Sequence, residues 1–277
     1  MNYECFEVSL DAGVAHVRLN HPERLNSMVP AFWAEIPLLF RALDQDGATR
    51  VALISASGRH FSAGMDLAVF QTAGALGTES VEARGRFRLQ LKKLQDSFNA
   101  IAEARFPVIA AVQGACIGGA VDLVTACCLR YASRDAFFCI QEINLGMMAD
   151  VGTMNRMPRQ IPEAVMRELA YTGDRLGAER AERLGFVNAV HDTHETTVAA
   201  ALEVARRIAA KAPVAIAASK EMISFARDHS VAESFAYLNA LQPGVFSPDD
   251  IARAMAVQES GQAAEFADLP PNRPAMG

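Results

Sequence analysis

The chain lacks the marks of membrane, secreted and nucleic-acid-binding proteins. None of its uncharged apolar runs reaches the roughly 18 residues of a membrane span; the longest, 106–121, is crowded with glycine and stops at Asp122. The opening MNYECFEVSL carries acid at once and no basic stretch, which argues against a signal peptide. The Arg/Ser richness of a transit peptide is missing too, and the closing RPAMG is not a peroxisomal tripeptide, so a soluble cytoplasmic protein is expected. Basic residues are in deficit, 26 Lys and Arg against 32 Asp and Glu, and the net charge of −6 argues against a nucleic-acid binder.

Several short chemical motifs are missing as well. No G-x-G-x-x-G follows a strand pattern, and there is neither a P-loop nor a G-x-S-x-G elbow, which argues against those nucleotide sites and a serine-hydrolase design. The six histidines form no H-x-x-x-H pair. The five cysteines (Cys5, Cys116, Cys127, Cys128, Cys139) are odd in number, form no C-x-x-C pair and sit mostly in apolar runs. Buried free thiols in a reducing compartment are therefore expected, and a metal centre is not.

What is present is a chain able to bury a large core, 51% hydrophobic and 21% charged over 277 residues, a length for one or two domains. CFEVSL and VAHVRL alternate around Asp11-Ala12-Gly13 and predict a hairpin. Asn26 and Ser27 are candidate caps for a helix bearing Phe32, Ile36, Phe40 and Leu43, and Pro37 predicts that this helix kinks or splits. VALIS at 51–55 reads as a buried strand, 57–78 as glycine-rich loop, and 79–104 as an amphipathic helix. Phe87, Leu91, Leu94, Phe98 and Ile101 mark the apolar face of that helix; Arg84, Arg86, Arg88, Lys92 and Lys93 mark a solvated one. PVIAAVQG, the turn Gly118-Gly119-Ala120, VDLVTACC and AFFCIQEI then follow the α/β grammar of strand, turn, helix, strand. Beyond about residue 192 only helical patterns occur (194–211, 213–228, 230–241 and 248–260), and the last dozen residues, with three prolines, are expected to fray. The division expected is an α/β core over 1–195 and a helical region over 196–277 that packs on the core or on another subunit.

Three acids stand in apolar or glycine-rich settings: Asp122 in GGAVDLV, Glu142 in FFCIQEINLG and Asp150 in LGMMADVGT. Such surroundings raise a carboxyl pKa and suit it to proton exchange near neutral pH. Asp150 could equally cap a helix and Glu142 could face solvent; Asp122, one turn into an apolar helix, is the hardest to explain without a partner or a task. Two glycine segments, Ser62-Ala63-Gly64-Met65-Asp66 and Ile117-Gly118-Gly119-Ala120, would let a ligand reach backbone N–H groups. If the two converged they would form an oxyanion hole; separately, each is an ordinary tight turn.

Taken together, FSAGMDL, IAAVQGACIGGAVDLVTACCLRYAS and FCIQEINLGMMADVGTMNRMP resemble the crotonase (enoyl-CoA hydratase/isomerase) family. The likeness extends from the N-terminal hairpin and RLNSM to KAPVAIAASKEMI in the helical tail. Within the family it runs to the Δ3,5-Δ2,4-dienoyl-CoA isomerases, which carry an aspartate, a glutamate twenty residues on and an aspartate eight further, the spacing of Asp122, Glu142 and Asp150. ADVGT and RDHSVAESF are isomerase-like too, whereas hydratases usually have glutamate where this chain has Asp122. Departures from the pattern are Ala120 for a third glycine, Cys128 for an aspartate, and the Asn144-Leu145 pair.

The resemblance implies a crotonase-like ββα spiral core with a C-terminal helical trimerisation region, and a homo-oligomer (trimer or dimer of trimers). It implies an acyl-CoA substrate, an oxyanion hole from the N–H groups of Met65 and Gly119, and Asp122, Glu142 and Asp150 as catalytic acids. Residues 62–66 (Ser62, Ala63, Gly64, Asp66) would line the pantetheine arm and thioester, Arg24 and Lys220 would contact phosphates, and the 66–85 stretch would wall the acyl pocket. No cofactor is implied, since coenzyme A is part of the substrate. The expected reaction moves a proton from C2 to C6 of a 3,5-dienoyl-CoA. Its rivals are an enoyl-CoA hydratase, or another crotonase-family acyl-CoA activity, and a non-catalytic crotonase-fold binding protein.

Overall fold

The computed structural model of the chain describes residues 3–66, 68–71, 79–260 and 264–272. Among the described residues nine strands form two sheets: β1 (Phe6–Asp11), β2 (Val14–Leu19), β3 (Val51–Ala56), β4 (Val108–Val112), β5 (Ala115–Ile117), β6 (Leu129–Ser133), β7 (Phe137–Cys139), β8 (Leu176–Gly177) and β9 (Ala189–His191). Helices α1 (Pro30–Gln45), α2 (Ala68–Gln71), α3 (Val81–Glu103), α4 (Gly119–Ala126), α5 (Thr153–Arg156), α6 (Glu163–Thr172) and α7 (Ala178–Arg183) are interleaved with them. Four more close the chain: α8 (His194–Ala209), α9 (Pro213–Asp228), α10 (Val231–Val245) and α11 (Pro248–Ser260).

The larger sheet has the order β1-β2-β3-β4-β6-β9, parallel except for the β1–β2 hairpin, and the smaller one the order β5-β7-β8. Successive turns of chain place one strand in each sheet: β4 then β5, and after α4, β6 then β7. The result is a spiral of two strands and a helix per turn. VALISA and VIAAV are buried at every position, which is why they read as unbroken apolar runs rather than alternating ones. One face of the large sheet carries the main core with α1, α3 and α4, including Phe32, Ile36, Phe98 and Leu123. The other face, through Val51, Leu53, Ile109 and Ala111, packs on Ala201, Ala205 and Ala209 of α8, whose small side chains at four-residue spacing let the helix sit close.

Several expectations change here. The boundary expected at 195/196 runs through α8, and that helix belongs to the core. Val29, not Asn26 or Ser27, stands at the N-cap of α1, without a side-chain cap, and α1 runs unbroken through Pro37. Asn26 instead takes a left-handed φ of 50° and is buried, donating to the Ser57 and His60 carbonyls while accepting from His21 N–H. The tail over 264–272 is not frayed: Arg50 donates to Phe266 O and pairs with Asp268, Arg105 donates to Pro270 O, and Phe266 and Leu269 are buried. Free thiols are borne out for Cys5, Cys116, Cys127 and Cys139 as buried groups, but Cys128 is exposed.

Candidate active site

A cavity of about 1130 Å³ opens between α1, α3, the N-terminus of α4 and the 141–151 segment. Its floor is the meeting point of the two glycine segments. Ser62 bridges to β5, with Ser62 N–H bound to Ala115 O and Ile117 N–H to Ser62 O, so the 62–65 chain lies along that strand. Gly64, at φ +80°, passes so close that a Cβ would fall 2.4 Å from Ile117 O and 3.2 Å from Gly119 N. No other residue fits there on either ground. The same approach brings Gly119, at the first turn of α4, to Met65: a Cβ on Gly119 would lie 3.8 Å from Met65 N. Among the described residues neither N–H meets an acceptor, and both residues line the cavity. The positive end of α4 points at the same floor, and such donors favour a negatively charged oxygen.

All three acids face this cavity. Glu142 follows β7 in a 3₁₀ turn rather than ending a strand, and its Oε1 would stand 3.2 Å from a Cβ on Gly118. Its Oε2 is buried without a partner. Burial, then the nearby Asp122 and Asp150, raise the Glu142 carboxyl to about 7. Asp122, in the first turn of α4, is buried; its Oδ1 accepts Thr153 N–H at 2.5 Å and its Oδ2 has no partner. Burial pushes its carboxyl up to about 6, against the pull of the Thr153 hydrogen bond and of Arg156. Asp150 is raised by burial as well; Gly152, not Asp150, stands at the N-cap of α5.

The remaining expected contacts separate. Arg24, Ala63 and Asp66 line the cavity, with Arg24 Nη2 bound to Asp66 Oδ2 at 3.0 Å. Ser62 and Gly64 shape the floor without lining it, and the Ser62 hydroxyl donates to Asn26 O and accepts from Gly64 N–H. Lys220 is elsewhere: it is held between the Ala104 and Phe106 carbonyls, at 2.5 and 2.9 Å, where its charge satisfies the end of α3. In the expected 66–85 wall, residues 67 and 72–78 lie outside the described residues; Val69 lines the cavity, as do Trp33, Phe87, Leu91 and Leu94. Lys93, read as solvated, is exposed yet borders this wall. Sequence reading singled out neither Gln95, which donates to Asp150 O, nor Arg156, which donates to Asn99 Oδ1; both lie outside the cavity lining and carry no motif.

The fold and the paired N–H groups define an acyl-CoA enzyme scaffold, and the chain belongs to the enoyl-CoA hydratase/isomerase (crotonase) family, whose description matches residues 9–266. Among its relatives is the mitochondrial Delta(3,5)-Delta(2,4)-dienoyl-CoA isomerase of Homo sapiens, 37% identical over 92% of this chain and 79% of that protein. The peroxisomal enzyme of the same name from Arabidopsis thaliana is 34% identical over 97% of this chain and 99% of that protein. A probable enoyl-CoA hydratase of Rhizobium meliloti is 29% identical over 96% of this chain and 99% of its own length. The crystal structure of a putative enoyl-CoA hydratase from Streptomyces coelicolor superposes with a TM-score of 0.85 at 25% identity, covering 96% of this chain and 95% of that one. The crotonase fold and the family's acyl-CoA chemistry are therefore those of this protein. No helix among the described residues is long and apolar enough to cross a membrane.

Proposed function

We propose that the protein isomerises 3,5-dienoyl-CoA to 2,4-dienoyl-CoA. The observation that carries the reading is the placement of three partly or wholly buried acids around two unpaired N–H groups in one cavity. The thioester oxygen accepts from Met65 and Gly119 N–H, which acidifies C2. Glu142, beside Gly118, takes the C2 proton and leaves a trienolate whose charge spreads along the chain to C6. Asp150 delivers a proton at C6, giving the 2,4-diene. Asp122 stands between them, tunes both acids and hinders delivery of a water. Arg24 and Asp66 at the same cavity are assigned to the coenzyme A arm. The isomerase names of relatives at 34–37% identity support the same assignment.

The test is ultraviolet absorbance on mixing the protein with 3,5-octadienoyl-CoA, beside a crotonyl-CoA sample. A growing 2,4-dienoyl chromophore, lost in Asp150→Asn and Glu142→Gln, is the expected result. A flat trace with rapid consumption of crotonyl-CoA would establish a hydratase instead. The assembly we propose is a homo-oligomer, trimer or dimer of trimers. It is supported by Ile223, Phe235 and Met255 on the helical tail, which are 72%, 60% and 58% exposed in the single chain. Light scattering of the purified protein measures it. The free thiols fit a reducing compartment, and cell fractionation decides between cytoplasm and an organelle.

A further inference from the structure

The turn that carries Asp150 is held from behind, outside the substrate cavity. Gln95 of α3 donates from Nε2 to Asp150 O at 2.9 Å. Arg156 of α5 donates from Nη2 to Asn99 Oδ1, also on α3, at 2.6 Å. Its other terminal nitrogen, Nη1, is buried without a hydrogen-bond partner and lies over Gly152, where a Cβ would fall 1.9 Å from it. Gly152 also has φ +148°, a backbone conformation that favours glycine. Gln95, Asn99 and Arg156 line a second, polar cavity of about 440 Å³, which shares only the Val151–Gly152 side with this turn. Arg159 and Arg227 at that cavity are both paired with Asp228. Among the described residues no carboxylate pairs directly with Arg156.

We propose that Arg156, anchored by Asn99, is a positioning residue: it holds the 150–153 turn against α3, so that Thr153 presents its N–H to Asp122 and Asp150 faces the cavity. The inference rests on the isomerase reading of the three acids. The Thr153 N–H to Asp122 Oδ1 bond, at 2.5 Å, is the link between the turn and the buried acid. Charged and titratable groups around Asp122 are Asp150 and Glu142 across the cavity, Cys116 on β5 and Arg156 on α5. Those around Arg156 are Asp122, Arg227 on α9, Cys127 and Glu103 on α3. Loss of Arg156 removes the cation that favours ionised Asp122, so Asp122 then ionises at higher pH.

The experiment compares wild type, Arg156→Gln, Arg156→Lys and the control Arg159→Gln as full chains in the 3,5-octadienoyl-CoA assay across pH. Arg156→Gln is expected to lower kcat by about 10- to 100-fold with little change in KM, the effect of a slightly misplaced acid. Its acid limb, set by the base Glu142, is expected to move down, because an Asp122 that stays protonated to higher pH no longer raises the Glu142 carboxyl. Arg156→Lys should restore the limb while recovering kcat only in part, because an ammonium keeps the charge but not the planar fork. Arg159→Gln should keep the wild-type profile. A limb that stays put in Arg156→Gln overturns the proposal, as does a loss of kcat matched by an equal rise in KM. Should Arg156→Gln fail to fold, Asn99→Ala frees the same guanidinium and must move the limb in the same direction. If wild type does not isomerise the diene, the isomerase reading fails on its own. Hydrogen exchange still tests the clamp: the 150–157 peptide must exchange faster in Arg156→Gln than in Arg159→Gln, and equal rates overturn it.

Discussion

Glu142→Gln is expected to weaken catalysis and strengthen the fold at the same time. The carboxyl is buried beside Asp122 and Asp150 with one oxygen unpartnered, and these surroundings raise it from 4.5 to about 7. Because the folded value lies above the unfolded one, the fold favours the protonated acid. That contribution is complete below about pH 4.5 and is lost as pH rises through about 7. Above about pH 7 the folded protein holds a poorly solvated charge that the unfolded chain would keep in water. The gap between the two values corresponds to about 3 kcal/mol at 1.36 kcal/mol per pH unit. Glutamine has nearly the same shape and no charge. At about pH 8 the variant should therefore unfold with a free energy up to about 3 kcal/mol larger than wild type, and near pH 5 the gain should shrink below about 1 kcal/mol. Urea unfolding at a series of pH values measures both. The same variant should lose about 10²- to 10⁴-fold in turnover, as expected when a general base is removed. A gain that does not depend on pH, or a loss that grows with pH, would refute the desolvated carboxylate and with it the proposed base.

Gly64→Ala must both adopt φ +80° and place a Cβ 2.4 Å from Ile117 O, so it should spread the two glycine segments of the proposed oxyanion hole and lower kcat by about 10²- to 10³-fold. Rapid-mixing turnover measurements check it. Lys220→Met leaves the Ala104 and Phe106 carbonyls without their ammonium donor, and denaturant unfolding should show a loss of about 1–3 kcal/mol. Its KM for acyl-CoA should not change, because Lys220 lies away from the cavity; a large rise in KM would restore it as a phosphate contact. Asn26→Ala removes the side chain that ties three backbone groups together and should lower stability by about 1–3 kcal/mol in the same assay.

Much of this protein is legible from local pattern alone. The alternation of CFEVSL and VAHVRL fixes the hairpin, the uniform burial of VALISA and VIAAV marks parallel central strands, and the helical periods of 194–260 return as four helices. The three acids could be singled out because each breaks an apolar context, and the two glycine segments because glycine tolerates close backbone approach. Only the tertiary structure decided what those residues do to one another. The 2.4 Å constraint at Gly64 and the convergence of Met65 with Gly119 join residues more than fifty positions apart, and no spacing rule reports such a contact. Asn26 looked like a helix cap because its residue type caps helices, yet its side chain found backbone groups more than thirty residues away. The resemblance offered Lys220 as a phosphate contact; the end of α3 supplied two buried carbonyls that hold it instead. Arg156 carried no motif, and its bond to Asn99 comes from the packing of α5 near α3. Sequence sets the elements through local sterics and burial period, whereas charge, pairing and pKa follow from which distant groups the fold brings within a few ångströms.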